Sequence, residues 1–111
     1  MLLKTNRADK KTIDTIFSVG KFINSQTLTF KYILTDARAV RVSFIAPKST
    51  AKLAVKRNAL RRLGYNILKK ELYRLPRGLA GVFIFKKNED DAEKLKREIE
   101  TIIGKIAIAA N

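Results

Sequence analysis

The sequence has no cysteine and no histidine among its 111 residues. Without cysteine the chain cannot form a disulfide or a thiolate metal site, which suits a reducing cytoplasm. Without histidine it has neither imidazole catalysis nor imidazole metal ligation. No apolar segment is long enough to span a bilayer, and the first residues lack the apolar core of a signal peptide. We therefore expect a cytoplasmic protein that does not enter a membrane.

Acidic residues are scarce and unevenly distributed. Ten Asp and Glu stand against 24 Lys and Arg, which gives a formal net charge of +14. The stretch 37–70 contains ten basic residues and no acidic one. A field of one sign repels itself in the folded state, so it usually has a partner that neutralises it. Phosphate backbones are the commonest such partner, because each Lys or Arg contact releases condensed counterions.

The apolar content and the length of the chain are sufficient for one folded domain. Apolar residues make up 46% of the chain and include six Phe, which excludes a disordered basic tail. A length of 111 residues fits a single domain, 1–111. Hydrophobic periodicity predicts the order α-β-β-β-α-β-α. This is an α+β fold with helices packed on a four-stranded sheet.

Local signals predict where these elements begin and end. Asp9 is expected to cap the first helix and Gly20 to end it. After a brief strand at 21–23, alternating residues predict strands at 27–35 and 39–46, joined as a hairpin. A long helix is predicted over 53–73, a buried strand over 79–85, and a last helix after the acidic residues 89–91. Asp90 and Asp91 are interpreted as capping residues of that helix rather than metal ligands, and we predict no metal site and no catalytic residue.

The strongest functional signal lies at the start of the long helix and in the loop before it. Arg57 and Arg61 are four residues apart and are predicted to project together, off the apolar stripe. Arginine matches phosphate oxygens with a planar fork, and Asn58 can reach a 2′-hydroxyl or a base edge. A solvated basic face is the alternative, but such faces usually mix charges of both signs. The residues predicted to bind RNA are Lys48, Lys52, Lys56, Arg57, Asn58, Arg61 and Arg62.

These residues resemble a known family. The segment 54–63, Ala-Val-Lys-Arg-Asn-Ala-Leu-Arg-Arg-Leu, is similar to the signature helix of the protein subunit of bacterial ribonuclease P. The strand before it and Lys48 in the loop match the family's lead-in to that helix. Upstream, Phe17-Ser18-Val19-Gly20 resembles the Phe-x-x-Gly that ends the family's first helix. The sequence departs from the family at Ala59, where the third residue of its Arg-Asn-Arg triplet is expected.

The resemblance implies a protein that assists catalysis without an active site of its own. In the family a large RNA and its Mg²⁺ ions cleave precursor tRNA to expose the mature 5′ end. The protein's signature helix contacts the catalytic RNA, and aromatic residues hold the single-stranded 5′ leader. It implies a monomeric protein in a 1:1 complex with the RNA, Mg²⁺ bound mainly by that RNA, and a fold resembling a ribosomal protein domain.

Three aromatic residues are candidates for the leader site: Phe17, Tyr32 and Phe30. Phe17 matches the family's Phe-x-x-Gly, while Phe30 and Tyr32 share one face of a predicted strand and could stack bases. For Phe30, a core position is an equal alternative. Tyr32 tolerates exposure better because its hydroxyl can form hydrogen bonds with water. A ribosome-associated or other structural RNA-binding protein of the same fold remains the alternative function. A DNA-binding regulator is disfavoured, since no helix-turn-helix spacing or dimer-forming heptad is present.

Overall fold

The computed structural model describes residues 8–109, with side chains described for residues 8–106. The expectation about a signal peptide rests on residues 1–7, which lie outside the described residues. The predicted order α-β-β-β-α-β-α is confirmed. In chain order the elements are α1 (Lys10–Val19), β1 (Lys21–Asn24), β2 (Leu28–Leu34), β3 (Arg41–Ile45), α2 (Ala54–Lys69), a 3₁₀ turn (Leu72–Arg74), β4 (Leu79–Phe85) and α3 (Ala92–Ala109).

The four strands form one sheet in the order β1-β2-β4-β3. β2 is antiparallel to both β1 and β4, whereas β3 runs parallel to β4. The predicted hairpin between the second and third strands is therefore wrong, because β4 lies between them. The physical reason is the composition of β4: six of its seven residues are buried, so it needs a neighbouring strand on each side and cover on both faces.

The two faces of the sheet are covered by different helices. α2 and α3 pack on one face around the rings of Phe30, Phe44 and Phe83. α1 packs on the other face, where Ile16 meets Ala80 and Val82. α1 lies over the two central strands, β2 and β4. The edge strands β3 and β1 therefore lie on either side of this helix. Among residues 8–109, no helix has the length and hydropathy needed to cross a bilayer.

The predicted helix caps are confirmed at α1 and α3. Asp9 Oδ1 accepts a hydrogen bond from Thr12 N at 2.8 Å, and Gly20 follows the last residue of α1. Asp91 Oδ1 accepts from Glu93 N at 3.0 Å, as expected of a residue that caps α3. Leu95, Ile99, Ile102, Ile103 and Ile106 form the buried face of α3, whereas Ala92 at its start is exposed.

α2 is shorter than the predicted 53–73 and lies close to β3. α2 ends at Lys69, and the last residues of the predicted range belong to the separate 3₁₀ turn, which is followed by Leu75 in the extended backbone that a residue before Pro76 prefers. Near the middle of α2, Gly64 faces the ring of Phe44, and a β-carbon on Gly64 would lie 2.5 Å from Phe44 Cε1. The glycine therefore reflects close packing between α2 and β3.

Candidate nucleic-acid interface

A groove of about 400 Å³ lies between the start of α1, the edge strand β3 and the first half of α2. We call it the basic groove. Its polar lining comes from Arg57, Asn58 and Arg61 of α2, so the structure brings together three of the seven predicted RNA-binding residues. Ser43 fixes the other wall: its Oγ accepts from Ala8 N at 3.0 Å and donates to Ala8 O at 3.2 Å.

Arg57 holds the loop that leads into α2. Its Nη1 donates hydrogen bonds to the carbonyl oxygens of Ala51, at 3.1 Å, and Lys52, at 2.7 Å. A guanidinium has five N–H donors on three nitrogens, so Nε and Nη2 of Arg57 keep donors for a ligand in the groove that this residue lines. The same side chain can therefore stabilise the loop and present a fork to a phosphate.

Arg61 and Tyr65 together satisfy the backbone of Phe44 in β3. Arg61 Nε donates to Phe44 O at 3.2 Å, and the Tyr65 hydroxyl accepts from Phe44 N at 3.1 Å. These contacts fasten α2 to the edge of the sheet. They also fix the direction of the Arg61 side chain, so its two terminal nitrogens are preorganised for a ligand. Sequence reasoning missed Tyr65, whose role depends on contact with a strand twenty-one residues away.

The other predicted basic residues surround the groove but do not line it. Lys48, Lys52, Lys56 and Arg62 are all exposed. The ion pairs among the described residues join Arg41 to Asp9, Arg74 to Glu71 and Lys94 to Glu89, and none includes a member of the predicted cluster. The first half of α2 therefore carries a positive charge that the described part of the protein leaves uncompensated.

Arg41 adds a cation on the same face of the sheet as Ser43. Its Nη1 lies 3.9 Å from Asp9 Oδ2, and its buried Nε has no hydrogen-bond partner among the described residues. The hydrogen bonds from the side chain and backbone of Thr12 lower the pKa of Asp9, with a smaller contribution from Arg41. Asp9 therefore stays ionised near neutral pH, and the charge of Arg41 is partly balanced.

The three predicted leader-binding aromatics do not form one platform. Phe30 is fully buried, with its ring centroid 4.3 Å from that of Phe83, so it is a core residue and cannot stack a base. Tyr32 lies on the same face of the sheet as Phe30, since side chains alternate along a strand; the two rings stack at 5.6 Å. Phe17, on α1, lies on the opposite face and is 44% exposed.

Two residues that sequence reasoning missed lie on the face of Phe17. Lys31 Nζ sits 5.0 Å from the centroid of the Phe17 ring. Phe22 in β1 is paired directly with Lys31 in β2, so both side chains point to this face, and Phe22 is 63% exposed. Phe17, Lys31 and Phe22 thus lie on one face of the sheet, across α1, β2 and β1, and we call them the aromatic row. It lies beside α1 on the side away from the basic groove, and only the strand register reveals it.

Comparisons with known proteins agree with this architecture. A search of curated proteins returned no match. The solved ribonuclease P protein of Thermotoga maritima is 18% identical with a TM-score of 0.80, over 90% of this chain and 96% of that one. The ribonuclease P protein of Staphylococcus aureus is 15% identical with a TM-score of 0.79, over 93% and 98% of the two chains. At these identities the likeness shows the fold.

The family is shown by sequence. The family model described as Ribonuclease P matches residues 4–107, which is nearly the whole chain. The match includes α2 with Arg57 and Arg61, the aromatic row and every strand of the sheet. The family resemblance that the Arg-Asn helix predicts is therefore confirmed, and the chain belongs to the ribonuclease P protein family.

Proposed function

We propose that this chain is the protein cofactor of a ribonuclease P particle, in which a catalytic RNA cleaves precursor tRNA at its 5′ side. The observation that carries the proposal is the basic groove. There, Arg57, Asn58 and Arg61 converge in a surface whose charge no described acidic residue neutralises. Membership of the family indicates that the partner is an RNA, and the arrangement of cations indicates how the chain would bind it.

The catalytic RNA is assigned to the basic groove and the exposed cations around it. Arg57 and Arg61 are anchored to backbone carbonyls by one nitrogen of each guanidinium, which leaves the remaining N–H groups available to phosphates. Anchored side chains lose less entropy on binding than mobile ones do. Lys48, Lys52, Lys56 and Arg62 add exposed point charges, and each phosphate contact releases counterions from the RNA.

The 5′ leader is assigned to the aromatic row. A single strand binds well where flat rings alternate with cations, because rings stack bases while cations track the phosphates. Phe17 offers an exposed ring next to the Lys31 ammonium, and Phe22 offers a second exposed ring at the position paired with Lys31. Phe30 cannot take part, and Tyr32 faces the other side of the sheet, so the proposal replaces this pair by Lys31 and Phe22.

The Mg²⁺ ions are assigned to the RNA. Mg²⁺ prefers several oxygen ligands in an octahedral arrangement, supplied by carboxylates or phosphates. No group of three or more acidic side chains that could hold a metal occurs within the described residues, so their donor set does not fit a magnesium site. The chain's own part is electrostatic: its cations lessen the repulsion between two polyanions, the catalytic RNA and its substrate.

A reconstitution assay tests the proposal. The protein is added to a bacterial ribonuclease P RNA and a precursor tRNA at a Mg²⁺ concentration too low for efficient cleavage by the RNA alone. We expect the protein to stimulate cleavage at the mature 5′ end. Failure with RNAs from several bacterial lineages, together with tight binding to ribosomal RNA, would instead favour a ribosome-associated role for the same fold.

A further inference from the structure

A second groove lies at the opposite end of α2, between the loop 35–40 and the 3₁₀ turn. It measures about 500 Å³. Three cations, Arg38, Lys69 and Arg77, line it together with Tyr73, and aliphatic side chains of Val40, Leu72 and Leu75 complete the lining. We call it the distal groove. Lys69 follows Arg57 by twelve residues, which places the two grooves about 18 Å apart along the helix at 1.5 Å per residue.

The positive charge of the distal groove is not balanced within the described structure. No acidic residue lines it, and neither Arg38, Lys69 nor Arg77 forms an ion pair with a described residue. Glu71 is near in sequence, but its carboxylate accepts from Arg74 Nη1 at 3.1 Å. Three uncompensated cations around one concave surface favour a polyanionic ligand.

Tyr73 gives the distal groove a second feature that a plain electrostatic patch lacks. Tyr73 is 83% exposed, the highest value among the exposed large hydrophobic residues of the described chain. An exposed ring next to cations is a surface on which a base can stack while neighbouring phosphates meet the charges. An acidic protein segment would use the cations but would have no need of the ring.

We propose that the distal groove binds a single-stranded segment of RNA, with one base stacked on Tyr73 and the flanking phosphates on Arg38, Lys69 and Arg77. This contact is separate from the basic groove and the aromatic row, and it does not depend on the role proposed for either. An RNA that meets both ends of α2 is held at two points on one rigid helix. Two linked contacts give tighter binding than either contact alone.

The first experiment measures binding of a fluorescent oligouridylate of about ten nucleotides, a length within the usual site size of single-strand binders. The full chain, Tyr73→Ala and Tyr73→Phe are compared by anisotropy. We expect Tyr73→Ala to weaken binding about five- to tenfold, because the stacked base loses its platform. Tyr73→Phe keeps the ring and should bind as the parent does. Since Tyr73 is exposed, both variants are expected to fold.

The second experiment tests the cations through the salt dependence of the same binding. Arg38→Gln with Arg77→Gln should reduce the slope of log affinity against log salt by about 1.4, or about 0.7 for each phosphate of a single strand that is no longer neutralised. The matched control is Lys96→Gln with Arg97→Gln, which removes the same charge from an exposed part of α3. We expect the control pair to change the slope much less.

A site-specific readout separates the distal groove from the two proposed sites elsewhere. An oligonucleotide that contains 5-bromouridine is cross-linked by light, and the modified peptide is identified by mass spectrometry. A cross-link at Tyr73 supports the proposal even if the chain fails to stimulate ribonuclease P cleavage. Cross-links confined to Phe17 or Phe22 would overturn it, as would a Tyr73→Ala variant that binds as tightly as the parent. If either of these two contrary results is obtained and the chain still stimulates ribonuclease P cleavage, the distal groove proposal is wrong but the proposed function is supported.

Discussion

Arg61 Nε donates a hydrogen bond to the carbonyl oxygen of Phe44 at 3.2 Å, which joins α2 to the edge strand β3. An arginine predicted to bind RNA is thus also part of the fold. Arg57 has the same double role, since its Nη1 holds the carbonyls of Ala51 and Lys52 in the loop before α2. Both side chains lie off the apolar stripe of the helix, and that position alone would suggest that neither contributes to stability. Their hydrogen bonds to backbone carbonyls lead to the opposite expectation.

Replacement of Arg57 should therefore cost stability. We expect Arg57→Ala to lower the free energy of unfolding by about 1–2 kcal/mol, because two backbone carbonyls lose their donor. Urea unfolding measures this. The matched control is Arg62→Ala, which removes the same charge from an exposed site on the same helix and should change stability by less than about 0.5 kcal/mol. Equal stabilities of the two variants would show that the loop does not depend on Arg57.

Arg62 offers a test of RNA binding that is free of this structural role. If its side chain contacts a phosphate of the catalytic RNA, Arg62→Ala should reduce the salt slope of binding by about 1. Filter binding across a range of salt concentrations measures the slope. Arg97→Ala, at an exposed site on α3, is the control, and we expect it to leave the slope close to that of the parent. A slope unchanged by Arg62→Ala would place the RNA elsewhere.

Gly64 makes the approach of α2 to β3 possible. A β-carbon there would lie 2.5 Å from Phe44 Cε1, so Gly64→Ala has to displace the helix or the ring. Overpacking of this kind costs about 1–3 kcal/mol, against a gain of about 1 kcal/mol in helix propensity. We expect a net loss of stability in thermal unfolding. Asn66→Ala, exposed on the same helix, should instead be neutral or stabilising. A stabilised Gly64→Ala variant would contradict the close packing.

The sequence predicts those parts of the fold that depend on local signals. The run 79–85 has the bounds of β4 because a continuous apolar segment between a Pro-Arg-Gly turn and polar residues is, at this length, too short for a buried helix. Asp9 and Asp91 are identifiable as caps because capping depends on neighbours within one turn. The order of the strands is different. Pairing β3 with β4 depends on contacts across the whole of α2, and no local pattern encodes it.

The candidate site is divided in the same way. Arg57, Asn58 and Arg61 could be predicted because helical spacing alone brings them together. Phe22 could not, because its meeting with Lys31 depends on the register of β1 against β2. The opposite placement of Phe17 and Tyr32 likewise depends on which face α1 covers. Periodicity assigns residues to a face, but it does not say which helix covers that face.

Glu98 makes the stability of the fold depend on pH. Its Oε1 accepts from Ser25 Oγ at 2.5 Å and Thr27 N at 2.7 Å, joining α3 to the turn between β1 and β2. Burial acts to raise the pKa of Glu98, but these hydrogen bonds and the charge of Lys94 lower it below its ordinary value of 4.5. The folded state therefore binds the proton less tightly than the unfolded state does. The resulting stability is present above pH 4.5 and is lost as the pH falls through the folded pKa.

The test compares Glu98→Gln with the parent by urea unfolding from acid to neutral pH. We expect the variant to be less stable by about 1 kcal/mol near neutrality, because the charge-assisted hydrogen bonds are weakened. The difference should shrink as the pH falls and the parent's carboxylate takes up a proton. Glu100→Gln, two residues away on α3, removes the same charge as a control. A difference that stays constant across the pH range would rule out ionisation of Glu98 as its source.

The aromatic row predicts selectivity for substrates that carry a leader. Phe17→Ala and Phe22→Ala should each weaken binding of precursor tRNA to the reconstituted particle by about tenfold, within the range for loss of one stacked base. Mature tRNA has no leader, so its binding should be almost unchanged. Tyr32→Ala is the control from the opposite face: it should lower stability through weaker packing against Phe30 but leave the ratio of precursor to mature affinity as it is. Equilibrium binding of both tRNAs, with thermal unfolding of each variant, measures all three effects. If the ratio of precursor to mature tRNA affinity falls with Tyr32→Ala and not with Phe22→Ala, the leader instead binds the face of the sheet that α2 and α3 cover.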